Sequence, residues 1–269
     1  MKDMPYVADI QTVDLLYYEE SNGKGCFEYC EMRNIDCLPA IGNPSIFYKK
    51  NDLNHGFDRL VLGSNRRLDG HTFLFQPDLV NRFKRQPVQF VFTRGELTGV
   101  VHFSDYNKDL VDNYLFNQFA KYERGLRELL KRNRLDNESM KTFFEGKSAE
   151  PGEVGKFYLK RLNRYKSTLK KRENAKDFQL DYLDDLIGLL EFHHIIELDD
   201  DVVDLRNMVM HVHPLIEMKD AHTDDYIFTR DSFERFFGHV LTLLRDSKRV
   251  YNRIAFSKDT LPESDSTPH

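Results

Sequence analysis

The chain has 269 residues, 40% of them apolar and 31% charged. That is enough apolar content to build cores, too much for a disordered chain, and a length that suggests two domains. No apolar run approaches the ~20 residues needed to cross a bilayer, and the start, Met1 to Ile10, lacks the basic-then-apolar layout of a signal peptide, so a soluble cytoplasmic protein is expected.

The net charge of −5 conceals segregation. Lys156 to Arg172 holds eight Lys or Arg and no acid, whereas Asp181 to Asp204 holds nine acids and no Lys or Arg. A basic run is either a solvated helix face or a track for a phosphate backbone. Tyr158 and Tyr165 interleave with it at positions that would suit base stacking.

Taken in chain order, the first ~110 residues mix helices with short strand-like runs. The helical stretch Gly25 to Asn34 leads into a hairpin of Cys37 to Gly42 and Ser45 to Lys50, turned at Asn43-Pro44. The helical stretch Pro77 to Arg85 leads into a second hairpin, VQFVFT and LTGVVHF, turned at Arg94-Gly95-Glu96. A helix–strand–turn–strand unit thus occurs twice. The three cysteines, Cys26, Cys30 and Cys37, are an odd number and no disulfide scaffold. Cys26 and Cys30 share a helical face, which leaves a metal site open beside the favoured reading of small core residues, because nothing nearby supplies a second pair of ligands.

From Tyr106 onward the pattern is helical. Asp109 to Lys131 carries Leu115, Phe119, Tyr122, Leu126, Leu129 and Leu130 at helical spacing, with Glu123 and Arg127 as an i,i+4 pair. A short helix is expected over Asn133 to Glu145, then a loop over Gly146 to Gly155. Further helices are expected near Phe157 to Glu173, Leu180 to His194, Asp201 to His213 and Asp231 to Arg253, and a loose tail from residue 257.

The most informative stretch is LRNMVMHVHP, Leu205 to Pro214. With 100° per residue, Leu205, Met208, Val209 and Val212 form a buried stripe, and Arg206, Asn207, Met210, His211 and His213 fall on the other side. Asp199, Asp200 and Asp201 stand where the helix would start, as caps and dipole partners. Pro214 disfavours helix at His213, so the polar cluster is expected near a helix C-terminus, facing outward.

Two resemblances follow from these residues. Glu31 to Gly42 (EMRNIDCLPAIG) and Gly95 to Lys108 (GELTGVVHFSDYNK) resemble the phrases of a pair of CBS (cystathionine-β-synthase-type) domains over roughly residues 5 to 110. His102 stands where Thr is usual in that family, and the first copy lacks the second phrase, so the resemblance implies one adenine-nucleotide site at most. It would hold AMP, ADP or ATP at His102, Ser104 and Asp105, with Asp105 accepting from the ribose hydroxyls and Ser104 and the backbone N–H groups at the helix start facing phosphate. The same residues are also suited simply to cap the following helix.

Arg206, Asn207 and His211 match Arg-Asn-x-x-x-His, the motif of the HEPN (higher eukaryotes and prokaryotes nucleotide-binding) superfamily, and FAKYERGLRELLK looks like an early helix of that family, over roughly residues 110 to 255. The resemblance implies a metal-independent endoribonuclease. His211 would move a proton between the ribose 2′-OH and the leaving 5′-oxygen, Arg206 would bind the phosphate, and Asn207 would orient His211. Arg206 and His211 diverge by ~140° on an ideal helix, so a C2 homodimer, pairing two such helices in one groove, is expected. His213 reads as a surface residue at a helix end.

A metal site drawn from His193, His194, His211, His213 and Asp199 to Asp201 is weaker, because His193 and His194 point ~100° apart. The expected organisation is an α+β CBS-like tandem over residues 1–108 followed by an all-α HEPN-like bundle over 109–256, with a flexible tail over 257–269. The expected activity is RNA cleavage regulated by an adenine nucleotide, with no catalytic cofactor, in a stress or phage-defence setting. The helix after Asp105 is the natural coupling element. The alternative is a non-catalytic, nucleotide-responsive interaction module that regulates a partner protein.

Overall fold

The computed structural model describes residues 4–33, 35–172, 176–210, 215, 217–219 and 226–256. The chain divides into two compact units, one drawn from Met1–Tyr114 with Val212–Gly238 and the other from Leu115–His211 with His239–His269. The class is mixed α+β. The strands all belong to the first unit, and among its described residues the second is helical.

In the first unit, α1 (Val7–Ile10) and α2 (Gly23–Arg33) precede β1 (Cys37–Ala40), β2 (Asn43–Asn51) and β3 (Gly56–Val61), an antiparallel sheet in the order β1-β2-β3. A second sheet, β4-β5-β6, follows from β4 (Arg67–Asp69), α3 (Asp78–Arg85), β5 (Val88–Thr93) and β6 (Glu96–His102); β4 is parallel to β5, and β5 antiparallel to β6. Both expected hairpins therefore form, but in different settings. The first gains β3 on its far side, and the second gains β4 through a crossover that carries α3.

The first hairpin turns at Ile41-Gly42, with Ala40 opposite Asn43, rather than at Asn43-Pro44. Gly42 takes φ +69°, open to glycine at no steric cost. The second turn, Arg94-Gly95, has φ of +54° and +86°, the paired positive values that match the twist of a two-residue hairpin. Phe47 and Leu62 meet Phe90 and Phe92 in one apolar cluster. Cys26 and Cys30 are buried beside Leu38, as small core residues would be.

A short 3-10 turn at Phe103–Asn107 leads into α4 (Asp109–Arg132). Then come α5 (Asn137–Ser148), α6 (Glu153–Lys171), α7 (Leu183–Phe192), α8 (Asp201–Met210), the two-stranded β7 (Glu217–Lys219) and β8 (Tyr226–Phe228), and α9 (Arg230–Phe256). The start of α9 brings Phe233, Phe236 and Phe237 onto Phe75, Phe83 and Tyr106, an aromatic core of the first unit with ring centroids 5.1–6.4 Å apart. Each such ring buries enough apolar area to contribute about 1.5–3 kcal/mol.

In the second unit, the six apolar residues singled out on α4 are all at most 1% exposed. α5 and α6 pack through Phe144 on Tyr165, at 5.3 Å between ring centroids. The loop between these two helices shrinks to four residues, because α5 runs on to Ser148 and α6 begins at Glu153. Gly152 at φ +82° makes that start, and at Gly155 a Cβ would lie 1.9 Å from the Glu150 carbonyl oxygen. α5 itself starts at Asn137 rather than Asn133, after Asp136 caps it by accepting from the Ser139 N–H at 2.9 Å.

Candidate functional site

α8 is placed from its N-terminal side by a buried carboxylate. Asp246 on α9 is fully buried and accepts from the backbone N–H of Asp199 at 3.0 Å and from Arg245 and Arg249 at 3.1 and 3.2 Å. Asp199 in turn accepts from the N–H of Asp201 at 3.1 Å, which opens the helix. Val202, Leu205 and Val209 then turn inward at i, i+3 and i+7, with Met208 half-buried.

Arg206 departs from the expected outward orientation. Its side chain is 28% exposed and turns toward α4, where its Nε lies 3.9 Å from Glu123 Oε1. The physical reason is reach: Arg206 sits only one step round the helix from the buried Leu205, and its stem is long enough to cross to the neighbouring helix. Glu123 also accepts from Arg127 Nη1 at 3.1 Å, so one half-buried carboxylate serves two guanidinium groups. Arg127 is otherwise committed, with Nε donating to the Phe178 carbonyl at 3.0 Å and Nη2 to the Asp181 carbonyl at 3.3 Å.

Arg206 is not so committed. Its Nε is buried without a hydrogen-bond partner, and Nη1 reaches Asn207 Oδ1 only at 3.5 Å. Asn207 is exposed. Arg206 and Asn207 thus come together in the last turns of α8. His211, like Val212, His213 and Pro214, lies outside the described residues, as does the tail over 257–269.

The second group of expected site residues forms a tight local turn in the first unit. Asp105 accepts from the His102 N–H at 2.7 Å and pairs with Lys108 at 2.9 Å. His102 Nδ1 lies 2.7 Å from Ser104 Oγ. His102, Ser104 and Asp105 therefore cap one another. Burial lowers the His102 pKa, opposed in part by the Asp105 carboxylate.

His102 is the register partner of Val88, and Val88 helps to line a cavity of about 320 Å³ in the same unit. Its walls also carry Lys49, Arg66, Arg85 and Arg230, opposed by Asp36. These cations come from four separate segments, so no local pattern in the sequence announces them. Cys37 sits in the same wall, and burial pushes its thiol up to about 11, which makes it an inert neighbour rather than a nucleophile.

Among the described residues no cluster of three or more His, Cys, Asp or Glu is arranged to hold a metal ion, and no helix is long and apolar enough to cross a membrane. No protein-family model, no curated protein and no solved structure matches the chain.

Proposed function

We propose that the chain is a metal-independent endoribonuclease, with Arg206, Asn207 and His211 as its reactive group. The observation that carries this reading is the state of Arg206: a guanidinium held half-buried beside Glu123, with Nε unpartnered and no strong hydrogen bond on the group. A cation positioned in this way and short of acceptors suits a phosphate, which takes planar, forked donors well.

In the proposed reaction His211 removes the proton from a ribose 2′-OH, the 2′-oxygen attacks phosphorus, and the 5′-oxygen leaves with a proton returned to it. Arg206 stabilises the charge gathered on the non-bridging oxygens. The products are a 2′,3′-cyclic phosphate and a 5′-hydroxyl. The reading resembles HEPN ribonucleases, and with them it carries a C2 homodimer, in which a second α8 supplies the Arg–His pairing that one helix disfavours.

The same proposal assigns the first unit an adenine nucleotide (AMP, ADP or ATP). The support is the cavity lined by Val88, the strand partner of His102, whose converging cations match the charge of a phosphate chain; His102, Ser104 and Asp105 themselves are not in its wall. His102, Ser104 and Asp105 would meet the sugar and its first phosphate, in the manner of CBS pairs. α4 follows that turn directly and carries Glu123, which makes it the coupling element.

End-group analysis tests the chemistry. A short single-stranded RNA incubated with the protein in EDTA is expected to yield cyclic-phosphate and 5′-hydroxyl ends, and the DNA of the same sequence to stay intact. Cleavage of both, or RNA ends bearing a 5′-phosphate, would contradict the mechanism, since neither can arise from attack by a 2′-hydroxyl.

A further inference from the structure

A second cavity lies wholly within the helical unit. It has a volume of about 260 Å³ and opens between α6 and the start of α7. Arg161 and Arg164 line it from α6 and Arg172 from that helix's C-cap, and Tyr182 lines it from the cap of α7. Asp181 and Asp185 form its acidic side.

These cations differ in availability. Arg161 is engaged, with bonds to both oxygens of Asp184 at 2.6 and 3.2 Å and to Asp185 at 3.0 Å. Arg164 and Arg172 are exposed and have no carboxylate partner among the described residues. Arg161 and Arg164 both lie over the Tyr182 ring, at 5.7 and 5.9 Å from its centroid, yet 48% of Tyr182 remains exposed. A half-exposed ring beside guanidinium groups is a platform on which a base stacks, while guanidiniums without a carboxylate hold the phosphates beside it.

The acidic side is incomplete. Both carboxylate oxygens of Asp181 and Oδ1 of Asp185 are buried with no hydrogen-bond partner, in residues 7% and 4% exposed. Buried acceptors without donors are uncommon in native folds and mark a place where a donor-bearing ligand lowers the free energy. Burial also pushes Asp181 up to about 6 and Asp185 to about 7, so this side carries less than its formal negative charge near neutral pH and repels a phosphate less.

We propose that this cavity is a docking site for one nucleotide of single-stranded RNA, separate from the reactive group on α8, with the base on Tyr182 and the adjoining phosphates on Arg164 and Arg172. The volume is just below the ~300–1,000 Å³ range of small-molecule sites, which fits one nucleotide and leaves the rest of the strand outside. The site also reaches Arg206 through named contacts: the carbonyls of Phe178 and Asp181 hold Arg127, Arg127 holds Glu123, and Glu123 faces Arg206. The inference rests on the proposed action on RNA and adds where that RNA is held.

Fluorescence anisotropy of a labelled single-stranded RNA of about twelve nucleotides, 2′-O-methylated so that no 2′-hydroxyl can attack, in EDTA and low salt, tests it by binding alone. The double variant Arg164→Glu/Arg172→Glu and the single variant Tyr182→Ala change the cavity. The double variant Lys160→Glu/Lys170→Glu makes the same charge change on exposed residues that do not line it. Roughly tenfold weaker binding for each cavity variant, against at most about twofold for the control, is the expected result. Equal weakening by both double variants, or none in the cavity variants while the wild type binds, would overturn the docking site and leave the ribonuclease reading standing. A wild type that neither binds nor cuts RNA would remove both.

Discussion

At the scale of single residues, the site depends on Glu123, whose carboxylate faces Arg206 and Arg127 together. The Glu123→Gln variant keeps the shape and removes the charge that holds Arg206 toward α4. Arg127 stays anchored by two backbone carbonyls. We expect RNA cleavage to fall by roughly tenfold, with stability lowered by no more than about 1–2 kcal/mol. Urea unfolding read beside the cleavage rate checks this, and a large stability loss with unchanged cleavage per folded molecule would contradict it.

Asp181 gives a second prediction. Its ordinary value is 3.8, and burial raises it to about 6, with Arg127 and Arg161 opposing. Between these values the folded chain retains a proton that the unfolded chain releases. The contribution of this group to stability is therefore greatest below about pH 4 and is lost as pH rises through about 6. Asp181→Asn removes the buried charge and is expected to be more stable than the wild type at pH 8 by about 1–3 kcal/mol, an advantage that shrinks by pH 5. Denaturation at the two pH values decides it, and a less stable variant at pH 8 would show that the ionised carboxylate is needed.

At the scale of elements, two glycines in helices predict opposite effects. A Cβ on Gly188 of α7 would lie 2.9 Å from Phe143 Cζ, whereas a Cβ on Gly238 of α9 meets nothing within 4 Å. Gly188→Ala should cost about 1–3 kcal/mol through overpacking, and Gly238→Ala should add about 0.5–1 kcal/mol through helix propensity. Unfolding curves that moved in the same direction for both would contradict the close approach of α7 to α5.

The elements also show what the sequence made legible. The core face of α4 followed from a helical period sustained over six large apolar residues, and the turn at Arg94-Gly95 followed from turn chemistry. β3 was missed because Gly56 to Val61 contains Asp58 and Arg59 and has no buried face. β4 was missed because three residues carry no period. The site was legible only in part. Arg206 and Asn207 lie within one short motif, but the Glu123 that faces Arg206 is on another helix. The cations of both cavities likewise come together only through the fold.

At the scale of the whole molecule, the proposed function needs an α+β unit that would bind a nucleotide and a helical unit that would cut RNA as a homodimer. Light scattering on the eluting protein is expected to give twice the chain mass of 31.8 kDa, and a monomer at micromolar concentration would remove the paired site. Nucleotide must also bind the active and inactive states with different affinity, since only differential binding shifts a population. The most direct measurement is RNA cleavage in EDTA by the wild type, Arg206→Ala and His211→Ala, each with and without ATP or AMP. The account predicts that the wild type cuts, that both variants lose cutting by at least about a hundredfold while remaining folded, and that nucleotide changes the wild-type rate. Cutting that persists in both variants, or a folded wild-type dimer that leaves RNA intact under every condition, would contradict it.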